Sequence, residues 1–398
     1  MRTVQTIGIP PRGFDPGDAD AVVVALKSRT VPADEACADS LAALQWLQAQ
    51  GCRQFFFKYC STFDSTDAGN IGPVTDALLD ALGAEFAIAC PAFPENGRTV
   101  YRGYLFAGPT LLNESGMENH PLTPMRDANL LRVLDRQSRG TVGLIGYETV
   151  ELGCEAVRGR IAGLRAEGHR YAICDTLSDA HLATLAEAVA DHPLLTGGSG
   201  IALGLPDNFR RQGLIEARDD AAELPAIAGA ELVISGSCSN ATRAQVARMA
   251  ESRPAFRVDP AALARGEEVV AAALAWAAEH GTDGPLLVYA TAEPEAVRAA
   301  QQAIGVQRAG ELVEEALAAI CAALVRDHGV RRLVVAGGET SGAVVQRLGI
   351  GALRIGPQID PGVPWTAAEV DGEPVALALK SGNFGGEGFF LNAFAMLP

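Results

Sequence analysis

At residues 55–74 an apolar run, FFFKY, passes straight into Cys60-Ser61-Thr62-Phe63-Asp64-Ser65-Thr66 and then into Gly69-Asn70-Ile71-Gly72-Pro73. Lys58, Ser61, Thr62, Asp64, Ser65 and Asn70 bring a cation, a carboxylate, hydroxyls and an amide to the end of one strand-like segment. Turn formers and helix caps account for one or two of them. Six together read as a ligand site. The helix expected from VTDALLDALG would aim free N–H groups and its positive dipole end at an anion there.

Three other strand-end loops in the first half carry weaker signals. Lys27-Ser28-Arg29-Thr30 follows AVVVAL and suits a carboxylate or phosphate, although a solvated loop start explains it better when taken alone. Pro91–Thr99 follows EFAIAC, and its Arg98 offers a fork for a carboxylate; a structural proline turn competes equally. Thr196-Gly197-Gly198-Ser199-Gly200 reads as a plain glycine turn.

The second half has a different set. ELVIS enters Gly236-Ser237-Cys238-Ser239-Asn240, LVVA enters Gly337-Gly338-Glu339-Thr340-Ser341-Gly342, and VALAL enters Lys380-Ser381-Gly382-Asn383-Phe384-Gly385-Gly386. Glycines at strand-to-helix turns let backbone N–H groups face phosphates. Neither the P-loop pattern nor GxGxxG is present. Three such loops in one half nevertheless predict a phosphate-rich ligand.

These loops need strands to present them, and the pattern supplies them. Short β-rich runs alternate with longer helical ones, the mark of an α/β fold: two α/β domains with mainly parallel sheets and an inter-domain cleft. Strands are expected at 4–9, 21–26, 54–58, 86–90, 142–146 and 171–174, then at 232–235, 285–289, 332–336, 353–355 and 375–379. Expected helices include 33–50, 74–82, 155–166 and 179–190, then 243–251, 261–280, 293–304, 310–327 and 341–348. In an open parallel sheet ligands bind beyond the strands' carboxyl ends.

Bulk properties narrow the field. With 398 residues, 48% hydrophobic and 20% charged, the chain suits a folded protein of more than one domain. A net charge of −16 argues against nucleic acid and anionic membranes as partners. The eight cysteines form no CxxC pair, which favours a reducing, cytoplasmic setting and disfavours structural zinc. The six histidines show no metal spacing, and only His120 is a candidate for a place near a site. No apolar run reaches membrane-spanning length, and the N-terminus does not read as a signal peptide. There is no GxSxG elbow for a hydrolase triad.

KYCSTFDSTDAGNIGPV, PAFPENGRTVYRGYLF, ISGSCSNAT, VVAGGETSGAV and LALKSGNFGGEGFF together resemble the four-carbon acid sugar kinases, most closely the 3-oxo-tetronate kinase group, from about Val4 to Phe390. The resemblance implies an acid-sugar domain over 1–210, a linker over 211–229 and a nucleotide domain over 230–398. It implies transfer of the ATP γ-phosphate to the terminal hydroxyl of the acid. ATP contacts would fall on Ser235, Gly236 and Ser237, on Gly337, Gly338, Glu339 and Thr340, and on Gly382. Arg29, Lys58 and Arg98 would then hold the carboxylate, while Ser61, Thr62, Asp64 and Asn70 line the acid-sugar pocket. Mg²⁺ would accompany ATP through the phosphates, with few protein ligands and no dedicated protein metal site. A homo-oligomer is compatible with all of this.

Family members open with an Ala-Asp-Asp-Phe-Thr-Gly segment that has no counterpart here, so Met1–Val4 would align with the interior of their first domain. That would remove a strand, a helix and two carboxylates, expose a strand edge and leave Asp64 as the best remaining catalytic base. Alternatives are a sister kinase acting on threonate, erythronate or 3-oxo-isoapionate, and an inactive ligand-binding remnant. A nicotinamide dehydrogenase is more distant, since its glycine fingerprint is missing.

Overall fold

The protein is described by a computed structural model covering residues 1–63, 66–119, 123–281, 284–292 and 305–397. Its strands are β1 (Thr3–Ile7), β2 (Ala21–Ala25), β3 (Phe55–Lys58), β4 (Ala87–Cys90), β5 (Arg98–Tyr101), β6 (Tyr104–Ala107), β7 (Thr110–Leu111), β8 (Thr141–Ile145) and β9 (His169–Cys174). They continue with β10 (Leu194–Gly197), β11 (Ala230–Ser235), β12 (Ala255–Arg257), β13 (Leu286–Tyr289), β14 (Val330–Ala336), β15 (Ala352–Asp360), β16 (Val363–Val370) and β17 (Glu373–Lys380). The chain divides into two compact units: Gly8–Phe14 with Val24–Arg218, and Met1–Ile7 with Asp15–Val23 and Asp219–Pro398.

The unit built on Val24–Arg218 holds a parallel sheet in the order β3-β10-β4-β9-β8. AIAC of β4 is buried throughout, as a strand covered on both faces should be. Strand β10 lies between β3 and β4. Its end, expected as a glycine turn, instead packs against the end of β4: a Cβ on Gly197, Gly198 or Gly200 would stand 2.4–2.5 Å from the carbonyls of Cys90, Pro91 and Ala92. Those glycines serve close backbone approach.

A small antiparallel sheet, β5-β6-β7, rises from the same unit and was not anticipated. Its first turn is Arg102-Gly103, with φ of 50° and 74°, the left-handed pair of a two-residue hairpin. A non-glycine residue pays for that conformation, and Asp175 compensates. Its buried carboxylate accepts the N–H groups of Arg102 (2.8 Å) and Gly103 (2.8 Å), and that of Tyr147 (2.9 Å) at the next helix.

The other unit carries a nine-stranded mixed sheet, β12-β13-β11-β14-β17-β16-β15-β1-β2. β12 through β17 in that order run parallel, and β16, β15 and β1 pair antiparallel. Alternate residues feed different cores: Leu232, Ile234 and Leu333 one face, Val233 and Val334 the other. Asp371-Gly372, with φ of 53° and 84°, makes the tight β16–β17 turn.

β1 sits beside β15, in the register Val4↔Arg354 to Thr6↔Ala352, and therefore in the unit of the C-terminal half. The sequence pattern by itself groups it with residues 1–210. Pairing decides otherwise, because β15 presents an open backbone edge that β1 satisfies. The helix expected over 261–280 is two, Pro260–Ala264 and Val269–His280, and that expected over 293–304 lies outside the described residues.

Candidate active site

In the unit of the C-terminal half, register levels the three glycine loops. Ser235 pairs with Ala336 and Ala336 with Lys380, so β11, β14 and β17 end on one line. The ladder then continues into the loops: the Gly236 N–H donates to Ala336 O (3.0 Å), and the Gly337 N–H to Lys380 O (2.9 Å).

Beyond this line the loops touch. A Cβ on Gly236 would lie 2.2 Å from Thr340 Oγ1, and one on Gly337 would lie 2.9 Å from the same atom. A Cβ on Gly382 would meet Ser237 Oγ at 2.4 Å. Only glycine allows this convergence. Buried hydroxyls knit it together: Ser235 to Thr291 at 2.7 Å, and Thr291 to Ser237 O at 2.8 Å. Ser239 and Thr242 donate to Gly382 O at 2.6 and 2.8 Å.

Two helices begin here. Asn240–Ala250 is capped by the Ser239 side chain. Gly338–Leu348 has Gly337 as its cap and no side-chain cap bond, which leaves its first N–H groups and positive dipole end for an anion. Gly338 and Glu339 are exposed, Thr340 is buried, and the buried Ser341 hydroxyl has no partner among the described residues. An orphaned hydroxyl in a helix's first turn fits a phosphate-binding role.

The structure thus brings together Ser235, Gly236, Ser237, Gly337, Gly338, Thr340 and Gly382 as loop neighbours, with Glu339 on the first helical turn. Sequence pattern alone does not single out Thr242, Gln245 or Thr291, and it gives Lys380 no task. The available signal was a lysine closing an otherwise apolar strand. Burial pushes its ammonium pKa down to about 8.

In the other unit, β3, β10 and β4 also end on one level, with Gly197 opposite both Lys58 and Cys90. Alternation exposes Lys58 and buries Tyr59, whose hydroxyl meets Thr196 Oγ1 at 3.0 Å. Tyr59 packs edge-on against Phe63 at 5.3 Å between ring centroids. Phe63 is fully buried with φ of 57°, a costly conformation for an aromatic residue. Such local strain marks ligand loops more often than plain connections.

Within that loop Ser61 is half-buried, and the buried Thr62 hydroxyl lies 3.0 Å from Cys60 Sγ. Asp64 and Ser65 lie outside the described residues, as does His120. Asn70 is buried and its amide nitrogen donates to Ser28 O (2.7 Å) and Val31 O (3.2 Å). It therefore ties the Lys27–Thr30 loop to the start of helix Ile71–Leu82, bringing the exposed Arg29 segment beside the Lys58 loop. Arg98 opens β5; one amino group reaches Asn96 O at 3.1 Å, while its buried Nε has no acceptor among the described residues. A charged donor left unpaired is what a carboxylate ligand would complete.

Among the described residues no three His, Cys, Asp or Glu side chains stand close enough to hold a metal. No described helix is long and apolar enough to cross a membrane.

Residues 1–205 match the family model described as a sugar-binding N-terminal domain, and residues 232–390 that of a nucleotide-binding C-terminal domain. A 3-oxo-tetronate kinase of Cupriavidus necator is 65% identical over 400 residues, spanning 100% of this chain and 92% of that protein. One of Burkholderia multivorans is 66% identical over 397 residues, with the same coverage. A solved protein of Salmonella typhimurium LT2 superposes with a TM-score of 0.91 at 46% identity, covering 100% of this chain and 94% of that one.

Proposed function

Because the chain belongs to the four-carbon acid sugar kinase family, we propose that it is an ATP-dependent kinase acting on 3-oxo-tetronate. The product is 3-oxo-tetronate 4-phosphate. The observation that carries this reading is identity above 60% over the full chain to relatives named for that activity. The level, mutually touching loops at Gly236, Gly337 and Gly382 support it from physical chemistry, since they gather backbone N–H donors at one line of strand ends.

ATP supplies the phosphoryl group, and catalysis of such transfers rests on positioning and charge neutralisation. The first N–H groups of helix Gly338–Leu348, with Thr340 and the Ser341 hydroxyl, face the phosphates. Mg²⁺ would be held mainly through ATP and would supply charge neutralisation for the transfer, needing few ligands from this chain. On the acid side, Arg98, Lys58 and Arg29 hold the carboxylate, and Ser61, Thr62 and Asp64 bind hydroxyls. Asn70 serves the same pocket by fixing the Lys27–Thr30 loop. Asp64 is the candidate base for the terminal hydroxyl. The protein works in the cytoplasm.

An ADP-release assay with ATP, Mg²⁺ and freshly generated 3-oxo-tetronate tests the reading, run beside threonate, erythronate and 3-oxo-isoapionate. Highest kcat/KM on 3-oxo-tetronate is expected. Preference for another acid of the panel would keep the kinase and replace the substrate. ADP release independent of every acid would overturn the assignment.

A further inference from the structure

Lys380 ends β17 at 1% exposure, and among the described residues no carboxylate pairs with it. A buried cation is tolerated only when oxygens replace its water. Four do: Thr242 Oγ1 at 3.1 Å, and the carbonyls of Ser381 (3.1 Å), Gly382 (3.0 Å) and Phe384 (3.0 Å). Gln245, fully buried on the neighbouring helix, works the same loop. Its Nε2 lies 3.1, 2.8 and 3.0 Å from the carbonyls of Phe384, Gly385 and Gly386.

Two side chains thus draw the carbonyls of Ser381, Gly382, Phe384, Gly385 and Gly386 inward. A trans peptide points the N–H of the following residue the opposite way, and no cis bond occurs among the described residues. The N–H groups of Gly382, Asn383 and Gly385 consequently face away from Lys380 and Gln245, and none has an acceptor among the described residues. Of the other loop N–H groups, that of Gly386 donates to Asp360 at 3.1 Å and that of Phe384 to Ser381 O at 3.2 Å. Successive unpaired N–H groups in a glycine-rich turn form an anion nest.

We propose that Lys380 and Gln245 are positioning residues that clamp the 381–386 loop so that its outward N–H groups bind nucleotide phosphate. Neither side chain touches the ligand; both act through the peptide planes they orient. This rests on reading the unit as the nucleotide-binding one.

The test uses the full chain and Lys380→Met and Gln245→Met, with ADP titrated calorimetrically and KM measured for ATP and for the acid. Gln245→Met leaves the buried cation in place, so it reports even if Lys380→Met fails to fold. Losing charged or clustered hydrogen bonds to the loop should raise the ADP Kd and the ATP KM about tenfold, with the acid KM unchanged. Folded variants that bind ADP as the parent does would overturn the clamp, as would equal losses for ATP and acid. A parent chain that binds no ADP would instead overturn the nucleotide reading beneath it.

Discussion

Gly382 faces Ser237 so closely that a β-carbon on it would stand 2.4 Å from the hydroxyl oxygen. The loops after β11 and β17 are therefore in contact through the absence of a side chain, at the level where Ser235, Ala336 and Lys380 align.

Gly382→Ala should force those loops apart. Overpacking of this kind costs about 1–3 kcal/mol, here spent mainly on the geometry of the phosphate cradle. An ATP KM about tenfold higher, with little change in the acid KM, is the expected result of steady-state assays. An unaltered ATP KM would show that the loops do not shape the nucleotide site.

Arg98→Ala should do the converse. Its half-satisfied guanidinium is assigned to the acid's carboxylate, and a hydrogen bond to a charged group contributes about 1.5–3 kcal/mol. The acid KM should rise at least tenfold while the ATP KM holds. Equal effects on both substrates would count against separate pockets.

Lys380 makes two opposite pH trends. It faces Thr242, the loop carbonyls and, at 6.0 Å, the Phe390 ring, and no titratable side chain among the described residues perturbs it. With its pKa lowered from 10.5 to about 8, the folded chain releases the proton before the unfolded chain does. Between those values the unfolded state binds more protons, so this group's contribution to stability rises with pH. Nucleotide binding needs the ammonium form that holds the loop, so ADP affinity should fall across the same interval. Urea melts and ADP titrations from pH 7 to pH 9.5 check both, and Lys380→Met should flatten both curves.

Asp175→Ala should weaken the unit built on Val24–Arg218 without touching nucleotide binding. Two N–H groups at the left-handed turn and that of Tyr147 at the next helix lose their acceptor; Gly103 is buried, and an unsatisfied buried donor costs about 1–3 kcal/mol, the two part-buried ones less. A fall of about 1–3 kcal/mol in urea unfolding is expected. A smaller loss would mean that water replaces the carboxylate.

Much of the fold was legible because alternation and helix signals are local. AVVVA, AIAC, ELVIS and VALAL had to be strands, and Gly51 and Gly349 had to end helices, whatever packed against them. The sequence also determined the chemistry on offer: glycine loops for phosphate, and a cluster of hydroxyls and cations after FFFKY. Asp371-Gly372 is a local hairpin signal in its own right, whereas Arg102-Gly103 was hidden by its short flanking strands.

What only the tertiary structure decided is non-local. Register, set by hydrogen bonds between strands far apart in sequence, put the three glycine loops on one level. Open edges on β15 drew β1 into the C-terminal half's sheet, and close backbone approach turned the Thr196–Gly200 glycines into packing elements. Burial assigned Lys380 its work: an exposed lysine would be hydrated, whereas one denied water has to collect carbonyls and so orders the loop around it.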